Sequence, residues 1–437
     1  MNYPASSTDS AGAIPLFAGL SPRRTSTWWI LVAAIFIVGA ALRIIPTSGF
    51  PIVGFDGELY RGYVLQLDSG GIASYPAICE GYVKKQMALP GAILPPTRAL
   101  FIVSGYTWKR LFWGDAPPAP DVKAPGVLRT DPVLRSLAAV ARTAGVLGLA
   151  LAGVAAWRMF GRDAVPVVLA MFACAPTQLH MSQNLLVDGF VAFWAFLSLY
   201  LLWENLQHPR EWRWLAALTV SLALLVTAKE NAFFVYVGLA TLVATNRWAR
   251  LGTVTPWLIA AGVAGGLLGL LLLRTLVGSW KVLVRTYELL VSKALVLDYA
   301  IKTCDGPWYR YFVDELIISP FGFCLALAAC FCTLREHPAL RAVFLFIAGS
   351  YLLMCNVRYG LNLRYATIWD LGIRILAAAQ VAWLARHAGP RAGWVAAALV
   401  ATFFVYDVRQ YYIFSVRAGM HEMTTYILIK SSGMYKP

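Results

Sequence analysis

Three charged residues stand directly beside long apolar stretches. Asp56 lies in Gly54-Phe55-Asp56-Gly57-Glu58-Leu59-Tyr60, about ten residues beyond the first apolar block. Asp188 follows Ser182-Gln183-Asn184-Leu185-Leu186-Val187 and opens another block, and Lys229 sits in Thr227-Ala228-Lys229-Glu230-Asn231, between two more. A carboxylate can take a proton from an attacking hydroxyl. An ammonium can stabilise negative charge on a phosphate. Each residue also has a structural role open to it. Asp188 could cap a helix N-terminus, Lys229 could reach to lipid headgroups, and Asp56 could be an ordinary loop acid. Their joint occurrence at the ends of different apolar blocks favours chemistry, because ionisable groups beside hydrocarbon mark functional sites.

The elements that must hold these residues are membrane helices. The chain has 437 residues, 59% hydrophobic and only 14% charged, against about 25% charged in globular proteins, and its mean hydropathy is +0.63. That excludes an ordinary soluble enzyme and a disordered chain. A span needs roughly 20 apolar residues, and eleven blocks from Trp28–Ile45 to Trp394–Tyr406 qualify as candidates. The expected fold class is an all-α polytopic membrane protein. The net charge of +15 is read as topology and contact with the lipid bilayer. No basic run alternates with aromatics in a soluble segment, so nucleic acid is set aside.

The arginines set the orientation. With the N-terminus inside, the cytoplasmic connections carry Arg158/Arg162, Arg210/Arg213, Arg247/Arg250, Arg335/Arg341 and Arg386/Arg391, as the positive-inside rule expects. This reading gives a cytoplasmic tail (1–27), a transmembrane domain (28–406) and an extracytoplasmic C-terminal segment (407–437). Two long extracytoplasmic loops follow from it, 46–131 and 277–312. Within them Thr97–Phe112 and Val277–Ala300 read as helices lying at the interface. Cys79 and Cys304 are the cysteines of these long outer segments, and a disulfide between them is expected where the compartment is oxidising.

The order of motifs resembles that of the GT-C fold membrane glycosyltransferases that use polyprenyl-phosphate sugars, whose familiar members include aminoarabinose transferases and protein O-mannosyltransferases. The resemblance rests on Phe55-Asp56-Gly57-Glu58, on Pro176, Ser182 and Asp188, on Thr227-Ala228-Lys229-Glu230, on Gly306-Pro307-Trp308-Tyr309-Arg310-Tyr311, and on Asn362-Leu363-Arg364-Tyr365. It covers most of Trp28 to Arg386. Members often carry adjacent acids in the first loop; here Gly57 separates Asp56 from Glu58.

The resemblance implies a GT-C-like bundle of about eleven spans. It also implies an enzyme moving a sugar from a polyprenyl-phosphate-linked donor to an extracytoplasmic acceptor, with inversion, in the bacterial inner membrane. A lipid-phosphate sugar already carries a good leaving group, so one base and a set of phosphate cations suffice. The expected base is Asp56, supported by Glu58, with Asp188 positioning hydroxyls. Lys229 is the expected first phosphate cation, with Lys84, Lys85 and Arg364 behind it. Trp308, Tyr309 and Tyr365 could line the sugar or lipid groove, although an interfacial aromatic belt explains Trp308 and Tyr309 equally well. No cofactor is assigned. Asp56 and Asp188 could offer oxygen ligands to Mg or Mn, but the five His residues show no ligand spacing. The competing reading is a transporter or flippase for a lipid-linked or anionic substrate, which would place its charges nearer mid-membrane. The topology has its own test: a reporter fused at Gly114 is expected to read extracytoplasmic, and a cytoplasmic signal there would overturn the arrangement.

Overall fold

The computed structural model describes residues 16–20, 24–47, 54–122, 124 and 126–417. Most of the expected N-terminal tail (1–27) and the end of the C-terminal segment (418–437) lie outside the described residues. The chain is all-helical, with 79% helix and no strand among the described residues. In chain order the helices are α1 (Thr25–Ile44), α2 (Phe55–Gly70), α3 (Tyr75–Ala88), α4 (Ala99–Trp113), α5 (Val127–Thr130), α6 (Pro132–Phe160) and α7 (Ala164–Ala173). Then come α8 (Pro176–Gln183), α9 (Val187–Gln207), α10 (Trp212–Ala228), α11 (Ala232–Ala249), α12 (Pro256–Val277) and α13 (Trp280–Ala294). The last six are α14 (Asp298–Thr303), α15 (Arg310–Ile318), α16 (Pro320–Cys332), α17 (Pro338–Met354), α18 (Thr367–Arg386) and α19 (Ala392–Tyr411).

Every expected apolar block is helical, but the expected count of eleven spans is not reproduced. Six described helices are long and apolar enough to cross a membrane, or seven if the bent pair α7–α8 is one span. Three shorter apolar helices, α10, α16 and α17, accompany them. The discrepancy has a local cause. The block Ala164–Leu179 is broken before Pro176 by a 56° bend, and Val313–Leu334 is broken before Pro320. Proline lacks the N–H that would continue the ladder and suits the first helical turn, so each one opens a new helix. The segments expected to lie at the interface are helical: Thr97–Phe112 as α4, and Val277–Ala300 in part as α13, with a break before α14.

Reciprocal caps fix the helix ends that matter for the site. The Arg43 guanidinium of α1 donates to Phe172 O (2.8 Å) and Ala173 O (2.9 Å), the open carbonyls at the end of α7. Gln183 of α8 donates back to Leu42 O, Arg43 O and Ile45 O at the end of α1. Each helix end thus satisfies backbone groups that would otherwise be buried without partners. Asp131 does similar work at α6. One oxygen accepts from Leu134 N (2.8 Å), the N-cap bond, and the other accepts from Arg61 of α2 (2.8 Å) and from Ala119 N (2.9 Å). A single fully buried carboxylate therefore starts α6 and anchors α2 to it.

Helix faces meet through small residues. On α12, Gly265 and Gly269 form a Gly-x-x-x-Gly pair against α10. A Cβ on Gly269 would lie 2.6 Å from Val226 Cβ and 2.8 Å from Ala223 O. Close backbone approach of this kind substitutes for a hydrophobic driving force between membrane helices. A second lock lies in the core. Arg374 of α18 donates to Asp407 of α19 (2.7 Å), to Asp370 (3.0 Å) and to Ser319 (2.7 Å), which joins α15 to α16. Gly269→Val is expected to push α12 from α10 and destabilise the fold by roughly 1–3 kcal/mol, the usual cost of overpacking. Thermal unfolding in detergent measures it, and an unchanged midpoint would show the contact to be dispensable.

Candidate active site

Asp56 is not in a loop. It is the second residue of α2, after Gly54 in extended geometry (φ −68°, ψ 165°). Acids in a first helical turn are favoured by the helix dipole, and Asp56 and Glu58 both sit there. Arg364 meets Asp56 from far along the chain, with Nη1 2.8 Å from Asp56 Oδ2. It lies in the short turn Leu363–Ala366 that leads into α18. Asn362 Oδ1 caps this turn by accepting from Arg364 N (3.0 Å). Leu361 N donates to Cys304 O (2.9 Å), and Tyr311 OH donates to Gly360 O (3.2 Å). The segments carrying Cys304 and Tyr311 therefore hold the turn that presents Arg364.

Asp188 and Lys229 also meet, with Lys229 Nζ donating to Asp188 Oδ1 at 2.5 Å. Asp188 is the second residue of α9, and Lys229 follows the last residue of α10. The acid is at a positive helix end and the cation at a negative one, so both dipoles favour the charges present. The Tyr365 ring lies 4.4 Å from Lys229 Nζ, an additional cation–π contact. Tyr365 is thereby in the cluster, beside Arg364 in sequence.

A third pair was not anticipated. Arg98, just before α4, donates to Glu230 from Nε (3.2 Å) and Nη2 (2.5 Å), and from Nη1 to Tyr60 OH (2.7 Å). Burial acts to raise the Glu230 carboxyl, but the Arg98 and Lys229 charges outweigh it and hold it below the ordinary glutamate value. The sequence did offer a signal: Arg98 opens an apolar helix, and Glu230 is the neighbour of Lys229. The three pairs form one cluster, since Asp188 lies in the field of Lys229, Arg364 and Arg98 together. Their accessibilities differ. The Asp188 and Lys229 side chains are 4% and 2% exposed, whereas Asp56 and Arg364 are 19% and 18% exposed. Among the three acids Glu230 (24%) and Asp56 are the more open, and Asp188 is the most enclosed.

Other expected site residues stand apart from these contacts. Glu58 and Lys85 line a hollow of about 500 Å³ between α2 and α3, with Tyr63, Gln66 and Tyr82. Lys84 is exposed on α3. Trp308 and Tyr309 are exposed and pack edge to face on each other. Cys79 and Cys304 are both buried thiols, so the expected disulfide is not formed. Cys79 belongs to the α3 core, and Cys304 belongs to the support of the Arg364 turn. Among the described residues no group of three or more His, Cys, Asp or Glu could hold a metal ion. Asp56 and Asp188, the expected oxygen ligands, each already face a cation.

No protein-family model and no curated protein matches the chain. Solved structures do match in fold. ArnT from Cupriavidus metallidurans, bound to undecaprenyl phosphate, superposes with a TM-score of 0.52 at 15% identity, over 93% of this chain and 76% of that one. The apo oligosaccharyltransferase of Archaeoglobus fulgidus gives 0.55 at 13% identity, over 94% of this chain and 56% of that one. Its complex with Zn and sulfate gives 0.52 at 14% identity. The chain spans little more than half the length of the archaeal enzyme. The likeness is one of fold, and the GT-C-like architecture expected from the motifs is the one found.

The Arg98–Glu230 pair has a direct check. Arg98→Met leaves Glu230 and Tyr60 without their donor. The expected loss of stability is on the order of 2 kcal/mol. That is below the roughly 3–5 kcal/mol of a fully buried pair, because Glu230 is partly exposed to solvent. Adding Glu230→Gln should recover part of it in thermal unfolding, and additive losses would show that the two residues are not coupled.

Proposed function

We propose that this chain is a membrane glycosyltransferase that takes a sugar from a polyprenyl-phosphate carrier and gives it to a hydroxyl of an extracytoplasmic acceptor. The observation that carries the reading is the Asp56–Arg364 pair, an acid and a cation held together at the accessible edge of a buried ionic cluster. The fold likeness to ArnT bound to undecaprenyl phosphate and to an oligosaccharyltransferase supports it. The setting we propose is the inner membrane of a bacterium, with the site on its outer side.

The reaction needs a base at the acceptor oxygen and positive charge at the departing phosphate. Asp56 is the base and Arg364 is the first cation the phosphate meets. This exchanges the order expected from sequence, which put Lys229 first. Lys229 is shielded behind Asp188, so it acts from the interior, neutralising Asp188 and adding positive field at the phosphate. The carrier's phosphate competes with Asp56 for Arg364. When it wins, the carboxylate is released from its ion pair next to the anomeric carbon. Asp56 then accepts the acceptor's proton as that oxygen forms the new glycosidic bond, while the old bond's electrons leave with the phosphate. Attack from the face opposite the phosphate inverts the anomeric centre. Asp188 keeps Lys229 in place and offers its remaining oxygen to sugar or acceptor hydroxyls. Glu58 and Lys85, facing the neighbouring hollow, are placed to contact the acceptor.

Asp56→Asn preserves size and removes the base, so transfer is expected to fall about 10²-fold or more with carrier binding retained. Near-normal transfer by this variant would refute the assignment. Lys229→Ala leaves Asp188 to compete for Arg364. It is expected to raise the carrier concentration needed for half-maximal rate by about 10- to 150-fold, the equivalent of one charge-assisted contact. Mass spectrometry of lipid-linked sugars in a deletion strain tests the whole reading. A transferase predicts accumulated sugar-carrier, and an unchanged pool with a sugar-carrier found only on the cytoplasmic side would instead indicate a flippase.

A further inference from the structure

A second cationic site lies at the start of α6, built from residues that the proposed reaction does not use. It is a cavity of about 510 Å³ whose walls include Arg129 of α5, Arg135 and Arg142 of α6, Trp113, Thr47 and Gln183. Arg135 and Arg142 are seven residues apart, two helical turns, so they share a face about 10 Å apart along the axis. Among the described residues no carboxylate pairs with Arg129, Arg135 or Arg142. This sets the cavity apart from the candidate active site, where every cation has an acid. Arg142 Nε is buried and has no hydrogen-bond partner. Arg135 lies 5.0 Å from the Trp113 ring.

Depth decides the ligand. α6 is among the helices long and apolar enough to span a membrane. Arg142 lies ten residues beyond Pro132, about 15 Å along the axis. At 29 residues α6 is about 43 Å long, more than the roughly 30 Å hydrocarbon layer, so Arg142 suits the edge of that layer, where an unpaired arginine is met by an anionic headgroup. The apolar part of the wall, with Pro46, Leu128 and Ala139, excludes a fully hydrated ion as the best fit. Basic pockets between membrane helices hold phosphorylated lipid headgroups on the cytoplasmic side; the expected topology sets the same chemistry here at the outer face, and an indole at the rim suits the interface. We infer that the Arg129–Arg135–Arg142 cavity binds the headgroup of an anionic phospholipid carrying two phosphates, separately from the carrier site at Arg364. The axial spacing of Arg135 and Arg142 allows each to take one phosphate.

The full chain in phosphatidylcholine nanodiscs, titrated with cardiolipin and read by native mass spectrometry, tests this. The wild type is expected to retain cardiolipin in preference to phosphatidylcholine. Arg135→Gln and Arg129→Gln, both altering exposed side chains, should each weaken retention about fivefold, and Arg142→Gln at least as much. Lys229→Ala should leave it unchanged. Equal retention by the wild type and the two exposed variants would overturn the inference. So would displacement of cardiolipin by inorganic phosphate at equal concentration, which would mark a site for a soluble anion. Displacement by polyprenyl phosphate in the wild type but not in Arg135→Gln would overturn it in favour of a second carrier site.

Discussion

A charge taken out of water must meet an opposite charge, and this constraint organises the middle of the molecule. Lys229 is the clearest case. Its ammonium is almost fully enclosed, at the end of α10. Left alone it would lose its proton or unfold its surroundings. Asp188 removes that cost, but only if α9 begins where α10 ends. The ion pair therefore demands a particular registration of two helices. The same demand recurs for Asp56 with Arg364 and for Arg98 with Glu230. Three acids and three cations from α2, α9, α10, the lead into α4 and the lead into α18 thereby converge.

The rest of the fold supplies the stiffness this convergence requires. Asp131 starts α6 and at the same time grips Arg61, five residues along α2 from Asp56. The Arg43 and Gln183 caps lock α1 to the α7–α8 bend, and α8 leads through three residues into α9 and Asp188. Gly265 and Gly269 let α12 approach the backbone of α10. Arg374, Asp407 and Ser319 tie α18 to its neighbours and so steady the turn that carries Arg364. Each of these polar contacts satisfies a group that burial would otherwise penalise.

Much of this was legible in the sequence, for a simple reason. A lone charge beside an apolar block is conspicuous, so Asp56, Asp188 and Lys229 could be singled out, and the apolar blocks themselves announced the helices; Arg364 came only from the motif resemblance, behind Lys229. What could not be read was which charge meets which. Arg364 and Asp56 are 308 residues apart, and Arg98 and Glu230 are 132 apart. No local pattern encodes such pairings. The glycines around Asp56 suggested a loop, yet Gly54 serves as an N-cap and Gly57 sits inside the helix. Compartment alone suggested the Cys79–Cys304 bridge, but contact depends on where α3 and the α14 end settle, which is a tertiary matter. Pro176 and Pro320 are visible in the sequence, but only the folded chain shows each ending one helix and opening the next.

The pairing has a consequence for any phosphate that enters. With the three acids and three cations all ionised, the cluster carries no net charge, so it does not attract an anion as a bare cationic pocket does. Binding must proceed by exchange, the phosphate taking a cation's contacts while an acid is displaced. Asp56 and Arg364 are more open than Asp188 and Lys229, and Asp56 is held by one bond from Arg364 where the similarly open Glu230 takes two from Arg98. Asp188 is held both by burial and by its place at the start of α9. Under the proposed function the resting ion pair would keep Asp56 and Arg364 from acting on water until the ligand's own charge separates them. On this argument the neutrality of the cluster is part of its selectivity: an uncharged sugar has nothing to exchange with Asp56, whereas a lipid-linked phosphate does.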